Sequence, residues 1–237
     1  MIQHVHERVR RARGLDRVLV ATDDQRIAAA VRAFGGEVVM TSTAHATGTD
    51  RLAEAVARDQ AAVVVNVQGD EPLLDPSTIE AALRPILDDP VLPMSTVALP
   101  LRDVEEMLSP AVVKVVTDAK GDALYFSRSP IPYFRQGAIE QRHAAAEAVR
   151  RRLALRHVGL YVYRREALLR LAALPPAPLE QAEGLEQLRA LHHGLRIRVV
   201  TVEGEAGVAV DTPQDLERVR ALLDPAARAR PSDQRKE

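Results

Sequence analysis

Apolar positions in the first hundred residues fall into two alternating spacings. Ile2, Val5, Val9 and Ala12 recur at helical intervals and Gly14 follows as a stop signal, which predicts that the chain opens on an amphipathic helix. Residues 17–23 form the continuous run of a buried strand. Ile27, Ala28, Val31 and Phe34 return to helical spacing before Gly35 and Gly36, and 37–40 reads as a second strand. A turn-rich loop at 45–50, a helix over 51–58 and a third apolar strand at 62–67 follow. Pro76 stands near the start of a helix with Ile79, Leu83, Ile86 and Leu87 inward, and 94–99 supplies another strand. This rhythm predicts one α/β domain, doubly wound around a mostly parallel sheet with helices on both faces.

The second half changes period. Residues 112–116 and 123–126 flank the turn Asp118-Ala119-Lys120-Gly121-Asp122 and read as a hairpin, so the sheet is expected to be mixed. Residues 135–152 are polar and rich in Ala and Arg, as an exposed loop or surface helix would be, and 156–163 is strand-like. A Pro-rich turn at 175–178 introduces one helix carrying Leu179, Leu185, Leu188 and Leu191; a strand at 197–202 and a helix at 213–223 complete the domain, taken as 1–224. Residues 225–237 read as a disordered tail.

Composition narrows the chemistry. The absence of cysteine excludes disulfides and thiolate chemistry, so any metal must sit on oxygen or imidazole. No stretch has signal-peptide or membrane-span character, which predicts a cytoplasmic protein without a membrane partner. A net charge of −1 gives no general attraction to nucleic acid, and the cluster Arg150, Arg151, Arg152 and Arg156 reads as a solvated helix face.

Two acidic loops are candidates for a site. "NVQGDEP" places Asp70 and Glu71 past the third strand, where ligands of open α/β sheets bind, although Gly69 to Pro72 also reads as an ordinary tight turn. "GVAVDTPQDL" places Asp211 just ahead of a helix that Thr212 and Asp215 can cap, leaving Asp211 free to enter the same cleft. Two carboxylates meeting there would suit Mg²⁺, which draws its remaining ligands from phosphate and water.

Those motifs, with "HATGTDRLAE", "ALYFSRSPIPYFR", "RHVGLYVYRREAL" and "LEQAEGLEQLRAL", resemble the 3-deoxy-manno-octulosonate (Kdo) cytidylyltransferases of lipopolysaccharide assembly, in order from Met1 to about Leu223. The resemblance implies a Rossmann-like nucleotidyltransferase that joins CTP to Kdo, releasing pyrophosphate, with Mg²⁺ on Asp70 and Asp211. It further implies cytidine contacts from Ala21, Thr22, Asp23, Thr47, Gly48 and Arg51, with Gln68 between nucleotide and sugar. Arg128, His157, Tyr161, Glu186 and Gln187 would surround the acid sugar, a cation or an imidazole meeting its carboxylate. Each has a plainer alternative: a structural histidine, a solvent-facing Glu186-Gln187 pair, an Arg51 on the outside of its helix. The resemblance also implies a homodimer with contacts within 123–163.

One departure from the family pattern lies at the front, where such enzymes carry a central strand and a basic loop of the type "IPARxxSxRLPGKPL". The expectation is of a form lacking that first strand, with impaired turnover. Alternatives of other kinds are a cytidylyltransferase for another acid sugar such as a sialic acid, a non-catalytic CMP- or CTP-binding module, and a glycosyltransferase using the two aspartates.

Overall fold

In the computed structural model, which describes residues 1–45, 47–134, 141–204, 207, 209, 210 and 212–223, helix α1 (Ile2–Val9) leads into β1 (Leu19–Thr22), α2 (Gln25–Ala33), β2 (Glu37–Met40), α3 (Gly48–Val56) and β3 (Val63–Asn66). Then come α4 (Pro76–Asp88), β4 (Met94–Pro100), α5 (Val104–Leu108), the hairpin β5 (Lys114–Thr117) and β6 (Ala123–Ser127), and α6 (Gln141–Arg150). The chain continues through β7 (Leu155–Arg164), α7 (Arg165–Ala173), α8 (Pro178–Glu183), α9 (Gln187–His192), β8 (Ile197–Thr201) and α10 (Pro213–Leu223). Short polar side chains start the helices: the Asp24 carboxylate accepts from Arg26 N at 2.7 Å, Thr47 Oγ1 from Asp50 N at 3.2 Å, and Asp75 from Ser77 N at 2.8 Å ahead of Pro76.

Strand β7 organises the sheet. One edge pairs antiparallel with the whole of β4, whose other edge carries β8 in parallel. The opposite edge is shared: β3 pairs antiparallel with 161–164 and β5 with 155–156. Thus β3, β4, β5 and β8 run one way and β6 and β7 the other, a mixed sheet with most strands aligned. Between β3 and β5 no strand covers 158–160. There β7 bulges: Thr96 pairs with Tyr161 but Val97 with Val158, so Gly159 and Leu160 are extra residues.

Apolar cores fill both faces. One gathers Val5, Val9, Ile79, Leu83, Ile86 and Leu160 under α1 and α4; the other gathers Ala53, Phe126, Tyr161, Leu168 and Leu188 under α3, α7 and α9. Strand β4 lies wholly between them, its Ser95 hydroxyl bonded to Ala82 O at 2.6 Å. No helix among the described residues is long and apolar enough to cross a membrane.

Four expectations are corrected. The sheet is not continuous: β1 and β2 form a separate parallel pair, and β1 is half-exposed rather than buried over Leu19–Ala21. Helices α1 and α3 connect that pair to the main sheet by packing, α1 against α2 and α4, α3 against β1 and α7. The helix expected across Leu179–Leu191 is two, because Gly184 adopts φ 63° and turns the chain. Arg156 is not on a helix face with its neighbours but on β7, while Arg150 and Arg151 pair with Glu147 on α6. Sequence reading also missed α5 and α7. The expected tail, and the part of the 135–152 segment over 135–140, lie outside the described residues.

The corner between α8 and α9 is locked by a buried ion pair. Arg189 and Glu180, 5% and 7% exposed, form a two-pronged contact with Nη2–Oε1 at 2.6 Å and Nε–Oε2 at 2.9 Å, and Glu180 also accepts from Ala177 N. Removing one partner leaves the other charge buried, so Glu180→Ala should lower unfolding free energy by about 3–5 kcal/mol. Urea denaturation of the variant checks this; an unchanged midpoint would show that the pair does not hold the corner.

Candidate active site

A cavity of about 480 Å³ opens where β3 and β5 leave β7 uncovered. Its floor is the bulged stretch of β7 with Arg156, His157, Gly159 and Tyr161; its walls are Asn66 and Gln68 after β3, residues 111–113 before β5, Arg128 after β6, and Glu186 and Gln187 at the α8–α9 corner. The first turn of α3 closes one side with Gly48 and Thr49. Gly159 keeps this part of the floor open: a Cβ here would stand in ordinary contact 3.7 Å from Gln68 Cγ, and a longer side chain would reach into the gap.

Thr96 holds the floor. Its Oγ1 lies 2.7 Å from Leu160 O and 3.0 Å from His157 Nε2, while His157 N donates to Val113 O at 2.9 Å. With its single proton given to Leu160 O, the hydroxyl accepts from His157 Nε2, which places the ring proton there and leaves Nδ1 as an acceptor. Loss of solvation pulls the His157 imidazolium down to about 3. The ring sits in an aromatic row with Phe126, Tyr161 and Tyr163, at centroid distances of 5.0 Å to Phe126 and 5.4 Å to Tyr161. Burial raises both tyrosine phenols, so they remain protonated.

The cavity's charge comes from elsewhere. Arg128 is held by main-chain carbonyls, Nε to Glu183 O at 2.8 Å and Nη1 to Pro110 O at 3.1 Å, while the Glu183 carboxylate takes Arg128 N and the Ser127 hydroxyl. Arg156 gives Nη1 to buried Glu106 at 2.7 Å, a carboxylate it shares with Arg102 at 2.6 Å, so its charge is only partly matched. Opposite, Glu186 is fixed by α3: Thr49 Oγ1 donates to its Oε2 at 2.5 Å, and Thr49 N lies 3.3 Å from the same oxygen. Gln187 is 7% exposed, so neither residue is the solvent-facing pair that the plain reading offered.

A second group stands at the carboxyl ends of β1 and β2. Arg51 reaches from α3 to Thr41 Oγ1 at 2.7 Å and to Asp23 Oδ2 at 2.8 Å, and that contact holds the Asp23 carboxyl below the ordinary range. Arg51 is therefore not on the outside of its helix. Thr22, buried at the end of β1, accepts from Asp24 N, and Ala21 precedes it on the strand. Thr47 spends its hydroxyl on the α3 cap. Ala21, Thr22, Asp23, Thr47 and Arg51 thus lie outside the cavity, joined to it by one turn of helix through Gly48 and Thr49.

The acidic loops occupy a third place. Asp70 lies in the turn after Gln68 and does not line the cavity. The distant chain does come to it: Val210 N donates to Asp70 O at 2.9 Å, and a Cβ on Gly207 would lie 3.5 Å from Glu71 Oε2. Thr212 and Asp215 cap α10 reciprocally, with Thr212 N to Asp215 Oδ2 at 3.0 Å and Asp215 N to Thr212 Oγ1 at 3.2 Å. Asp211 itself lies outside the described residues. Sequence reading missed Thr49, Asn66, Arg156 and Glu183; Gly184 inside a helical run was the one local signal that the chain turned there.

This architecture has known counterparts. A cytidylyltransferase family model matches residues 1–197. The chain is 54% identical over 223 residues to a 3-deoxy-manno-octulosonate cytidylyltransferase of Syntrophotalea carbinolica, and 55% identical to that of Geobacter sulfurreducens, covering 94% of this chain and 88% of each relative. A solved structure of CMP:2-keto-3-deoxy-manno-octonic acid synthetase complexed with CTP superposes with a TM-score of 0.83 at 44% identity, over 94% of this chain and 86% of that one. A 4-diphosphocytidyl-2C-methyl-D-erythritol synthase from Anaerococcus prevotii, 12% identical with a TM-score of 0.56, shares the fold alone. The chain belongs to the cytidylyltransferase family.

Proposed function

We propose that this protein transfers the cytidylyl group of CTP to Kdo, giving CMP-Kdo and pyrophosphate, as a cytoplasmic enzyme of lipopolysaccharide synthesis. The observation that carries the reading is the cavity at the β3–β5 gap, sized for one sugar and joined through the first turn of α3 to the Asp23–Arg51 group. The sugar enters the cavity with its carboxylate toward Arg128. Its hydroxyls meet Gln187 as a donor and Glu186 and neutral His157 as acceptors. The nucleotide lies across Gly48 at the ends of β1 and β2, along Ala21, Thr22, Asp23, Thr47 and Arg51, with Gln68 between the two substrates. The anomeric hydroxyl then attacks the α-phosphorus, the new O–P bond forming as the bond to the pyrophosphate oxygen breaks.

Asp70 and Asp211 are the residues to hold magnesium in this scheme. The Val210–Asp70 hydrogen bond supports it, because it brings the loop bearing Asp211 against the loop bearing Asp70. Magnesium bound there would offset phosphate charge during transfer.

Pyrophosphate release in the presence of CTP and Mg²⁺ tests the reading. Kdo should support release at least about tenfold faster than a sialic acid, and Asp70→Asn should cost about 100-fold or more with an unchanged circular dichroism spectrum. Release with sialic acid but not Kdo would redirect the assignment, and binding of CTP without any release would favour a binding module.

His157 should stay neutral across the working range, since its folded value lies near 3 against 6.5 for a free ring. Its Hε1 resonance, assigned by loss in His157→Gln, should not move between about pH 5 and 8, where an exposed histidine titrates. A midpoint near 6.5 would return the ring to the role of cation.

We also propose a homodimer. Leu124, Tyr133 and Leu153, 61%, 90% and 43% exposed, all fall within 123–163 and support that surface as the contact. Light scattering should give twice the chain mass of 26.0 kDa, and a single-chain mass at micromolar concentration would exclude it.

A further inference from the structure

Only three of the 32 basic side chains of this protein are lysine, and one of them, Lys114, is completely buried at the start of β5. Its ammonium donates to Ser109 O at 2.8 Å, to Val112 O at 2.6 Å, and to Arg128 O. The first two carbonyls belong to the 109–113 wall of the cavity and the third to the residue that supplies its cation. The same wall returns the contact, since Pro110 O accepts from Arg128 Nη1. We propose that Lys114 is a positioning residue for the sugar, fixing the 109–113 segment and Arg128 against each other beside the cavity through three main-chain carbonyls.

The chemistry is specific to lysine. A tetrahedral ammonium directs three N–H bonds to three converging acceptors, whereas a planar guanidinium presents its donors in a fork. In a chain that otherwise relies on arginine, the exception sits where that geometry is needed. The cost is a buried cation with no carboxylate in its grip, and burial pulls the ammonium down to about 8. The charged groups that face it are Glu183 on α8, which raises it, and Arg128, which lowers it further. Its cross-strand partners are Ser127 on β6 and Arg156 on β7, and these turn to Glu183 and Glu106 respectively. Once deprotonated, the amine has two N–H bonds for three carbonyls and the clamp is incomplete.

The proposal rests on the sugar occupying this cavity, so calorimetric binding is measured apart from turnover. Lys114→Met should bind Kdo at least about tenfold more weakly while CTP affinity stays within about twofold. In the wild type, Kdo affinity should hold from about pH 6 to 7.5 and fall as pH rises past about 8, with CTP affinity flat. Unchanged Kdo affinity in the variant, or a parallel loss for CTP, would overturn the assignment. Should the variant fail to fold, the wild-type pH series decides alone, and a flat Kdo response refutes it. A wild type that binds Kdo with this pH dependence yet releases no pyrophosphate would refute the enzymatic reading and leave Lys114 in place.

Discussion

One hydroxyl sets the shape of the cavity proposed as the sugar half of the site. Main-chain groups buried away from water must find partners, and 158–160 of β7 lack a strand on one side because β3 ends and β5 has not begun. On the opposite edge, Thr96, buried in β4, holds the bulge that faces it by bonding Leu160 O, with Val158 O a further 3.3 Å contact. The bulge is thereby held with Gly159 facing Gln68, and the missing strand segment becomes a cavity instead of a defect. The same oxygen fixes the tautomer of His157, so backbone satisfaction and ligand chemistry are settled by a single side chain.

Charge in the cavity follows from which groups have lost water. His157 and the tyrosines are held neutral by burial, and Arg156 shares the Glu106 carboxylate with Arg102. Arg128 differs because carbonyls, which align a guanidinium without cancelling it, are its holders. In the proposed site an anionic sugar would meet the guanidinium of Arg128 with the Glu186 carboxylate elsewhere on the wall, an arrangement that discriminates by position as much as by charge.

Most elements were legible because their apolar spacing is local. The α1 stripe, the β5–β6 hairpin and the Thr212–Asp215 cap all depend on residues within a few positions of each other. What was not legible depends on pairing at a distance. The break at Gly184 looked like a tolerated glycine in a leucine-spaced helix, and only the docking of α8 and α9 makes it a corner that turns Glu186 and Gln187 inward. Arg156 followed three other arginines and was read with them, although the chain crosses from α6 to β7 in between. Lys114 was one polar letter in an apolar strand, since nothing nearby announces that three carbonyls converge on it. The quoted motifs contain most of the cavity residues but not their contacts; Thr49, which donates to Glu186, stands inside one of them with nothing local to single it out.

The two halves of the site differ in how firmly they are built. The sugar half sits on a hydrogen-bonded sheet with a buried floor, and its moving parts are tied by Lys114, Glu183 and the Glu180–Arg189 pair. The proposed nucleotide half rides on β1 and β2, which share no ladder with that sheet among the described residues and are joined to it by the packing of α1 and α3. Ladders open as cooperative units, whereas a two-stranded element held by side-chain packing can shift at lower free energy. Helix α3 is common to both, with Arg51 anchored to Asp23 at one end of its first turns and Thr49 to Glu186 at the other. A shift of β1 and β2 would therefore be passed to Glu186 through the first turns of this helix, which hold Asp23 on one side and Glu186 on the other.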